Sequence, residues 1–336
     1  MSERIAVLGA GSWGTALANL LAGKGHDVTV WSYERDVADA INANHENPRY
    51  LSGIPLAPTL RADAELERAV RATPVIVSVS PAQHVRRVLA QAAPAMPADA
   101  LLVSASKGIE MKSLRTMAQV ATEVLPKPVA ASACYISGPS FALEVARGLA
   151  TAVTIASHDA EAAARAQQLF QTSFFRVYTS EDVTGVELGG SLKNVIAIAA
   201  GMAVGLGLGH NATAALITRG LAEMMRLGVA LGANPLTLSG LAGMGDLILT
   251  CTGDLSRNRH VGMELGRGRA LAEVLAEMTM IAEGVDTTRA AHALAQREGI
   301  EMPIVSEVHA VLFEDRPARE ALEKLMLREP KPELWQ

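Results

Sequence analysis

Residues 4–25 read RIAVLGAGSWGTALANLLAGKG. The first five, RIAVL, form a short apolar run of the kind that makes a buried strand. Gly9, Gly11 and Gly14 follow at G-x-G-x-x-G spacing, and a helix-length stretch opens directly behind them. A strand, a glycine turn and a helix start in that order aim backbone N–H groups and the positive end of a helix dipole at one point, which is a cradle for a pyrophosphate. Ser12 and Trp13 occupy the turn, and their backbone amides are the expected donors. The alternative is a plain glycine turn that holds nothing.

The same alternation continues outward. DVTVWS, PVIVSVS and ALLVSAS read as strands, followed by the helix-length runs ERDVADAINANHE, AQHVRRVLAQAAP and SLRTMAQVATEVL. VAASACYIS, TAVTIAS and FFRVYT extend the strands to about Thr179. Strand and helix in alternation predict an α/β fold, a doubly wound and mostly parallel sheet with right-handed crossovers. From about Val186 only helical periodicity remains. The expected organisation is a dinucleotide-binding domain over residues 1–186 and an all-helical C-terminal domain over 187–336, with the cleft between them as the site.

Composition agrees. A chain of 336 residues is long for one core, and with 49% hydrophobic but only 4% aromatic residues its interior is filled by Ala, Val, Leu, Ile and Met. A formal charge of -5 leaves no global basic field, which argues against nucleic acid or an anionic membrane surface, so any anion site must be local. Cys134 and Cys251 match no metal spacing and read as core residues of a reducing cytosol. MSERIAVLGAG carries no export signal, so a cytoplasmic location is expected. The longest uncharged apolar run, Val195 to Gly209, is shorter than the roughly eighteen residues of a spanning helix. The histidines form no ligand set, and no metal is expected.

Where the second strand ends, a dinucleotide fold normally carries an acid that accepts from the adenosine ribose. Here VTVWSYERD has Ser32, then Tyr33, Glu34 and Arg35. Without an acid a 2'-phosphate meets no repulsion, so NADP is expected beside NAD, contacted by Arg35 or Tyr33; the alternative is that Glu34 swings in and selects NAD. Lys107, in ASKGIE, closes a strand at the carboxyl edge and either faces the cleft or is a solvated loop lysine. In SGPSFALEVARG, Gly138 and Pro139 let the backbone pass close to a ligand before a helix expected from Ser140, and these amides suit the nicotinamide side. GGSLKNVIAIAAGMAVGLG, Gly189 to Gly207, holds one charged residue, Lys193, where a helix should begin.

GAGSWGTA, SKGIE, GPSFA, LGGSLKNVIAIAAG, GMGDLILTC, SRNR and AEGV occur in the order that marks bacterial NAD(P)-dependent glycerol-3-phosphate dehydrogenase, and the chain resembles that family over nearly its whole length. The resemblance implies reversible reduction of dihydroxyacetone phosphate to sn-glycerol 3-phosphate for glycerophospholipid synthesis. It implies a Rossmann-type domain joined to a helical domain of the 6-phosphogluconate-dehydrogenase-like kind, commonly as a homodimer. It makes Lys193 the proton acceptor and Lys107 a ligand of substrate and cofactor. It puts Ser12, Trp13, Tyr33, Gly138, Ser140, Ala142, Ile281 and Glu283 around the dinucleotide, and assigns Asp246, Ser256, Arg257 and Asn258 to the substrate, with Arg257 also near the cofactor.

The chemistry asks for the same residue types. Hydride leaving a secondary alcohol needs a base of near-neutral pKa at its hydroxyl. A lysine becomes one through desolvation, nearby cations such as Lys107 or Arg257, and a helix N-terminus; the alternative is a lysine that snorkels to water. Asp246, in GLAGMGDLILTC, either orients Lys193 or the substrate hydroxyls, or caps the helix LILTC. SRNRH supplies a guanidinium, Arg257, with Ser256 and Asn258 for a phosphate monoester, or else is only the basic start of a helix. Two other functions fit these parts less fully: a lysine-dependent NAD(P) dehydrogenase of a hydroxyacid, and a non-catalytic nicotinamide sensor.

Overall fold

A strand covered on both faces buries every side chain, and β1 (Arg4–Leu8) does so after its first residue. Ile5 and Val7 enter one apolar cluster and Ala6 and Leu8 another, because successive side chains leave a strand on opposite sides. The sheet is thus doubly wound. The computed structural model describes residues 2–330 and 332–333, so residue 331 and residues 334–336 of the expected helical unit lie outside the described residues.

The other strands are β2 (Asp27–Trp31), β3 (Arg61–Asp63), β4 (Val75–Ser78), β5 (Leu101–Ser104), β6 (Cys134–Ser137), β7 (Thr151–Ala156) and β8 (Phe175–Ser180). Their order is β3-β2-β1-β4-β5-β6-β7-β8, and every adjacent pair is parallel except β6 with β7. The chain runs outward from β1 to β3 and then returns to β4, so the order reverses between β1 and β4, and ligands of such sheets bind at the carboxyl ends there.

Three local expectations change. β3, the charged triplet RAD at the sheet edge, carries no apolar run that would announce a strand. In VAASACYIS the alanine-rich front half belongs to the helix Lys127–Ala131, and strand begins only at Cys134; alanine favours helix over strand. The helix expected from Ser140 starts at Ala142.

After β8 the described chain is helical. Its central element is the helix Val183–Gly205, buried along most of its length. Its start is set by Asp182, whose carboxylate accepts from the Gly185 N–H at 2.8 Å. By length and composition this helix is apolar enough to cross a membrane, but 89% of its apolar window is buried inside the structure. The helix exceeds the uncharged run read from sequence because Glu187 and Lys193 are buried within it.

One helix crossing in this unit is built on glycine. Gly201 and Gly205 face the helix Arg257–Gly266, which presents Gly262 and Gly266 in return. A Cβ added at Gly262 would overlap the Ile198 carbonyl, and one added at Gly201 would overlap that of Arg259. Backbone meets backbone, so neither side can give way. Gly262→Ala is therefore expected to destabilise the fold by about 1–3 kcal/mol or more. Gly23→Ala, with no neighbour within 4 Å of the added carbon, should be neutral or mildly stabilising. Chemical-denaturant unfolding of the two variants checks the contrast.

Candidate active site

The glycine loop divides its glycines by task. Gly9 has φ 125° and a Cβ there would sit 3.1 Å from the Val79 carbonyl carbon, while one at Gly14 would overlap the Gly9 oxygen. Gly11 has nothing within 4 Å, so its open side is where a ligand can approach. The helix Ser12–Gly23 begins without any side-chain cap, leaving its first N–H groups free for an anion. Trp13 Nε1 is buried without a partner, and Ser12 Oγ lies 2.6 Å from the Tyr50 carbonyl and 2.9 Å from Met280 Sδ. An uncapped helix start, an open glycine and an orphaned donor fit a dinucleotide.

At the end of β2, Ser32 is buried with its hydroxyl unpartnered, and Tyr33 stands 73% exposed. Glu34 does not hang free: its Oε1 accepts from the Tyr50 hydroxyl at 2.8 Å. Arg35 faces Glu65 at 3.4 Å.

Across the cleft, one carboxylate serves two lysines. Lys193 Nζ donates to Asp246 Oδ1 at 2.5 Å and to Thr250 Oγ1 at 2.9 Å. Lys107 Nζ donates to Asp246 Oδ2 at 2.7 Å and to the Gly138 carbonyl at 3.3 Å. Asp246 is 1% exposed and Lys193 7%. Burial lowers Lys193 to about 8; Asp246 favours its ammonium form, and Lys107 opposes it. Burial alone would raise Asp246, but the two ammonium groups outweigh it and hold the carboxyl below its ordinary value.

This arrangement corrects the expected origin of the basic lysine. Lys193 lies halfway along the helix Val183–Gly205, several turns from its start, where the dipole has little effect. Arg257 does not bear on it either; that guanidinium donates to the Ile281 carbonyl at 2.7 Å and acts on Glu283. Desolvation and Lys107 do the lowering.

Local sequence explains the approach. A Cβ at Gly189 would lie 2.5 Å from the Ala242 carbonyl oxygen, and one at Gly190 would overlap Ser137 Oγ. The glycine pair lets the helix press against the end of β6 and the wide turn Leu241–Gly245, which delivers Asp246. Asp246 is the first residue of the helix Asp246–Thr252, whose cap position is Gly245, so its carboxylate is not the cap.

A second group lies beside the first. Ser256 caps the helix Arg257–Gly266 by accepting from Arg259 N–H at 3.2 Å, and Arg259 pairs with Asp254 at 2.9 Å. Asn258 is buried and bridges Asn194 Oδ1 and the Gly284 N–H, each at 2.9 Å. Glu283 Oε1 accepts from Ala82 N–H at 3.3 Å, and burial raises its carboxyl to about 7. Ile281 is 47% exposed, Ser140 Oγ donates to the Gly138 carbonyl at 2.9 Å, and Ala142 opens the next short helix. Sequence reasoning missed Thr250, Tyr50 and Met280. Thr250 was legible, since Asp246 and Thr250 at i and i+4 share one helix face; the other two carried no local signal.

Two family models cover this chain. One described as NAD-dependent glycerol-3-phosphate dehydrogenase N-terminus matches residues 4–163, and its C-terminus counterpart matches residues 182–323. Glycerol-3-phosphate dehydrogenase (NAD(P)+) of Geobacter sulfurreducens is 58% identical over 335 residues, covering 100% of both chains. That of Geobacter metallireducens is 58% identical over 333 residues, 99% of each chain. The crystal structure of glycerol-3-phosphate dehydrogenase from Coxiella burnetii superposes with a TM-score of 0.93 at 42% identity, covering 97% of this chain and 99% of that one.

Removing the shared carboxylate leaves one buried and one half-buried ammonium group without a counter-charge. Asp246→Asn should cost about 3–5 kcal/mol near neutral pH. The Lys193 pKa of about 8 is depressed from 10.5, so the unfolded chain binds the extra proton between those values and stability tied to this group rises with pH across that window. In Asp246→Asn the lysine falls further, and the recovery should begin at lower pH. Urea unfolding between pH 6 and 10 measures both effects.

Proposed function

The chain belongs to the NAD-dependent glycerol-3-phosphate dehydrogenase family, and within that family's reaction we propose that Lys193 Nζ is the proton acceptor and donor. The enzyme interconverts dihydroxyacetone phosphate and sn-glycerol 3-phosphate with NAD or NADP, a step that serves glycerophospholipid synthesis. The hydroxyacid-dehydrogenase and sensor readings are set aside. The observation that carries the lysine assignment is the Lys193–Asp246–Lys107 set, in which the buried Lys193 amine sits near 8.

The nicotinamide, when bound, takes or supplies the hydride. The chain's own part is proton handling and orientation. In oxidation, neutral Lys193 removes the C2 hydroxyl proton; in reduction, its ammonium form polarises the ketone and returns that proton. Asp246 fixes the amine through Oδ1 and brings Lys107 to the same place, so charge developing on the oxygen faces two preorganised cations. Thr250 Oγ1 limits the directions open to Nζ. We assign the substrate phosphate to Arg257 with Ser256 and Asn258, supported by their place at the start of one helix beside the cleft. Gly138 and Ser140 contribute to substrate and nicotinamide contacts; Gly9, Gly11, Ser12, Trp13, Gly14, Tyr33, Ala142, Ile281 and Glu283 complete the cofactor side. The division at residues 186 and 187 into a cofactor half and a catalytic half, the cytoplasmic location and the homodimer belong to the same reading.

Lys193→Met should reduce kcat by roughly 10²–10⁴ while NADPH binding, followed by fluorescence, stays unchanged; a rate within tenfold of wild type would remove Lys193 from the role. Because only the neutral amine accepts a proton, kcat/KM for glycerol 3-phosphate oxidation should climb with pH and level off above about 8. Lys107→Met takes away a cation that disfavours the ammonium form, so its inflection should move to higher pH. Arg257→Ala should raise KM for dihydroxyacetone phosphate more than it lowers kcat, and steady-state kinetics decides this.

A further inference from the structure

Beyond the end of β2, where the adenosine ribose of a dinucleotide falls, most charged side chains already have partners. Glu34 accepts from Tyr50, Arg35 faces Glu65, and Arg86 of the helix Ala82–Ala92 is clamped by Glu110 at 2.9 Å and Glu123 at 2.7 Å. Arg87, the next residue of that helix, is in none of these sets. Among the described residues it forms no ion pair, and its Cζ lies 5.8 Å from the centre of the exposed Tyr33 ring. The helix carrying it follows β4, the strand beside β1 across the point where the sheet order reverses, so it reaches the β2 end from the opposite wall of the crevice.

A guanidinium resting on an aromatic face, with no carboxylate to neutralise it, is held ready for an anion, and its planar fork matches a phosphate in two hydrogen bonds. Ser32 at the strand end offers no negative charge to repel one. We infer that Arg87 reads the 2'-phosphate of NADP and sets the preference for NADP over NAD, with Tyr33 positioning its guanidinium. The inference deepens the cofactor use stated above and rests on it. It moves the role from Arg35, which Glu65 engages, to a residue more than fifty positions away in sequence. Arg49, also without an ion pair among the described residues, lies 5.3 Å from the ring of Tyr50, whose hydroxyl engages Glu34, and is the alternative cation at this end.

Calorimetric titration of the full chain with NADPH, NADH, adenosine 2',5'-bisphosphate and adenosine 5'-monophosphate tests this without turnover. Arg87→Ala should weaken NADPH and the bisphosphate by at least about tenfold, leaving NADH and the monophosphate within about threefold. Arg87→Lys, which keeps the charge and loses the fork, should fall between. Equal losses for all four ligands, no loss for any, or a phosphate-selective loss in Arg49→Ala or Arg35→Ala instead would overturn the assignment. Should the wild-type chain bind neither NADPH nor NADH, the cofactor reading itself fails and this inference with it, an outcome distinct from a wild type that binds both while Arg87→Ala is silent.

Discussion

Two ammonium groups share one buried carboxylate, and the rest of the molecule is arranged to make that tolerable. Charges taken out of water are expensive unless their geometry is good and their remaining hydrogen-bonding capacity is used. Asp246 uses both oxygens, one on each lysine, and Lys193 has Thr250 as well. Three charged groups sum to one net positive charge in a nearly dry place. That surplus keeps Asp246 ionised and, with burial, makes the Lys193 proton easy to lose. A well-paired lysine alone would be too good an ammonium to act as a base; a lone buried lysine would be too costly to place.

The backbone features around the set follow from that need. Gly189 and Gly190 strip side chains from the helix face that meets β6 and the Leu241–Gly245 turn, while Gly201 and Gly205 do the same about two and three turns beyond Lys193 against the Arg257–Gly266 helix. The lysine is thereby held on a rod packed by backbone on two sides. The sheet contributes Lys107 from the loop after β5 and the Gly138 carbonyl from the loop after β6. Contacts across the crevice join the two halves: Ser12 with Met280, and Glu283 with the Ala82 N–H. The glycine loop that fits the cofactor is therefore in contact with the segment that leads into the Glu283–Glu298 helix.

Much of this was legible in the sequence because its signals are local. Strand, glycine turn and helix follow one another within residues 4–25, and the change to helical periodicity marks the second half. Lys193 stood out as the one charge in an apolar stretch. Its place on the helix did not, since the stretch suggested a start at Lys193 and Asp182 in fact sets it eleven residues earlier. The pairing of Lys193 and Lys107 with Asp246 spans separations of 53 and 139 residues and is a product of tertiary packing alone. The same holds for Tyr50 on Glu34 and Arg87 beside Tyr33, which decide how the end of β2 is charged. The RAD strand was hidden because an edge triplet has neither length nor apolar pattern to announce it.

In the folded enzyme the Lys193 amine loses its proton near pH 8, well below the ordinary lysine value, before any substrate arrives. Following the lysine 13Cε resonances of the ligand-free protein against pH by NMR, with Lys193→Met used to assign the signal, observes that proton directly. An inflection near 8 for Lys193 is the expected result. An inflection at the ordinary lysine value near 10.5, or above it, would mean that the carboxylate outweighs burial, and that Lys193 is a fixed cation instead of a base.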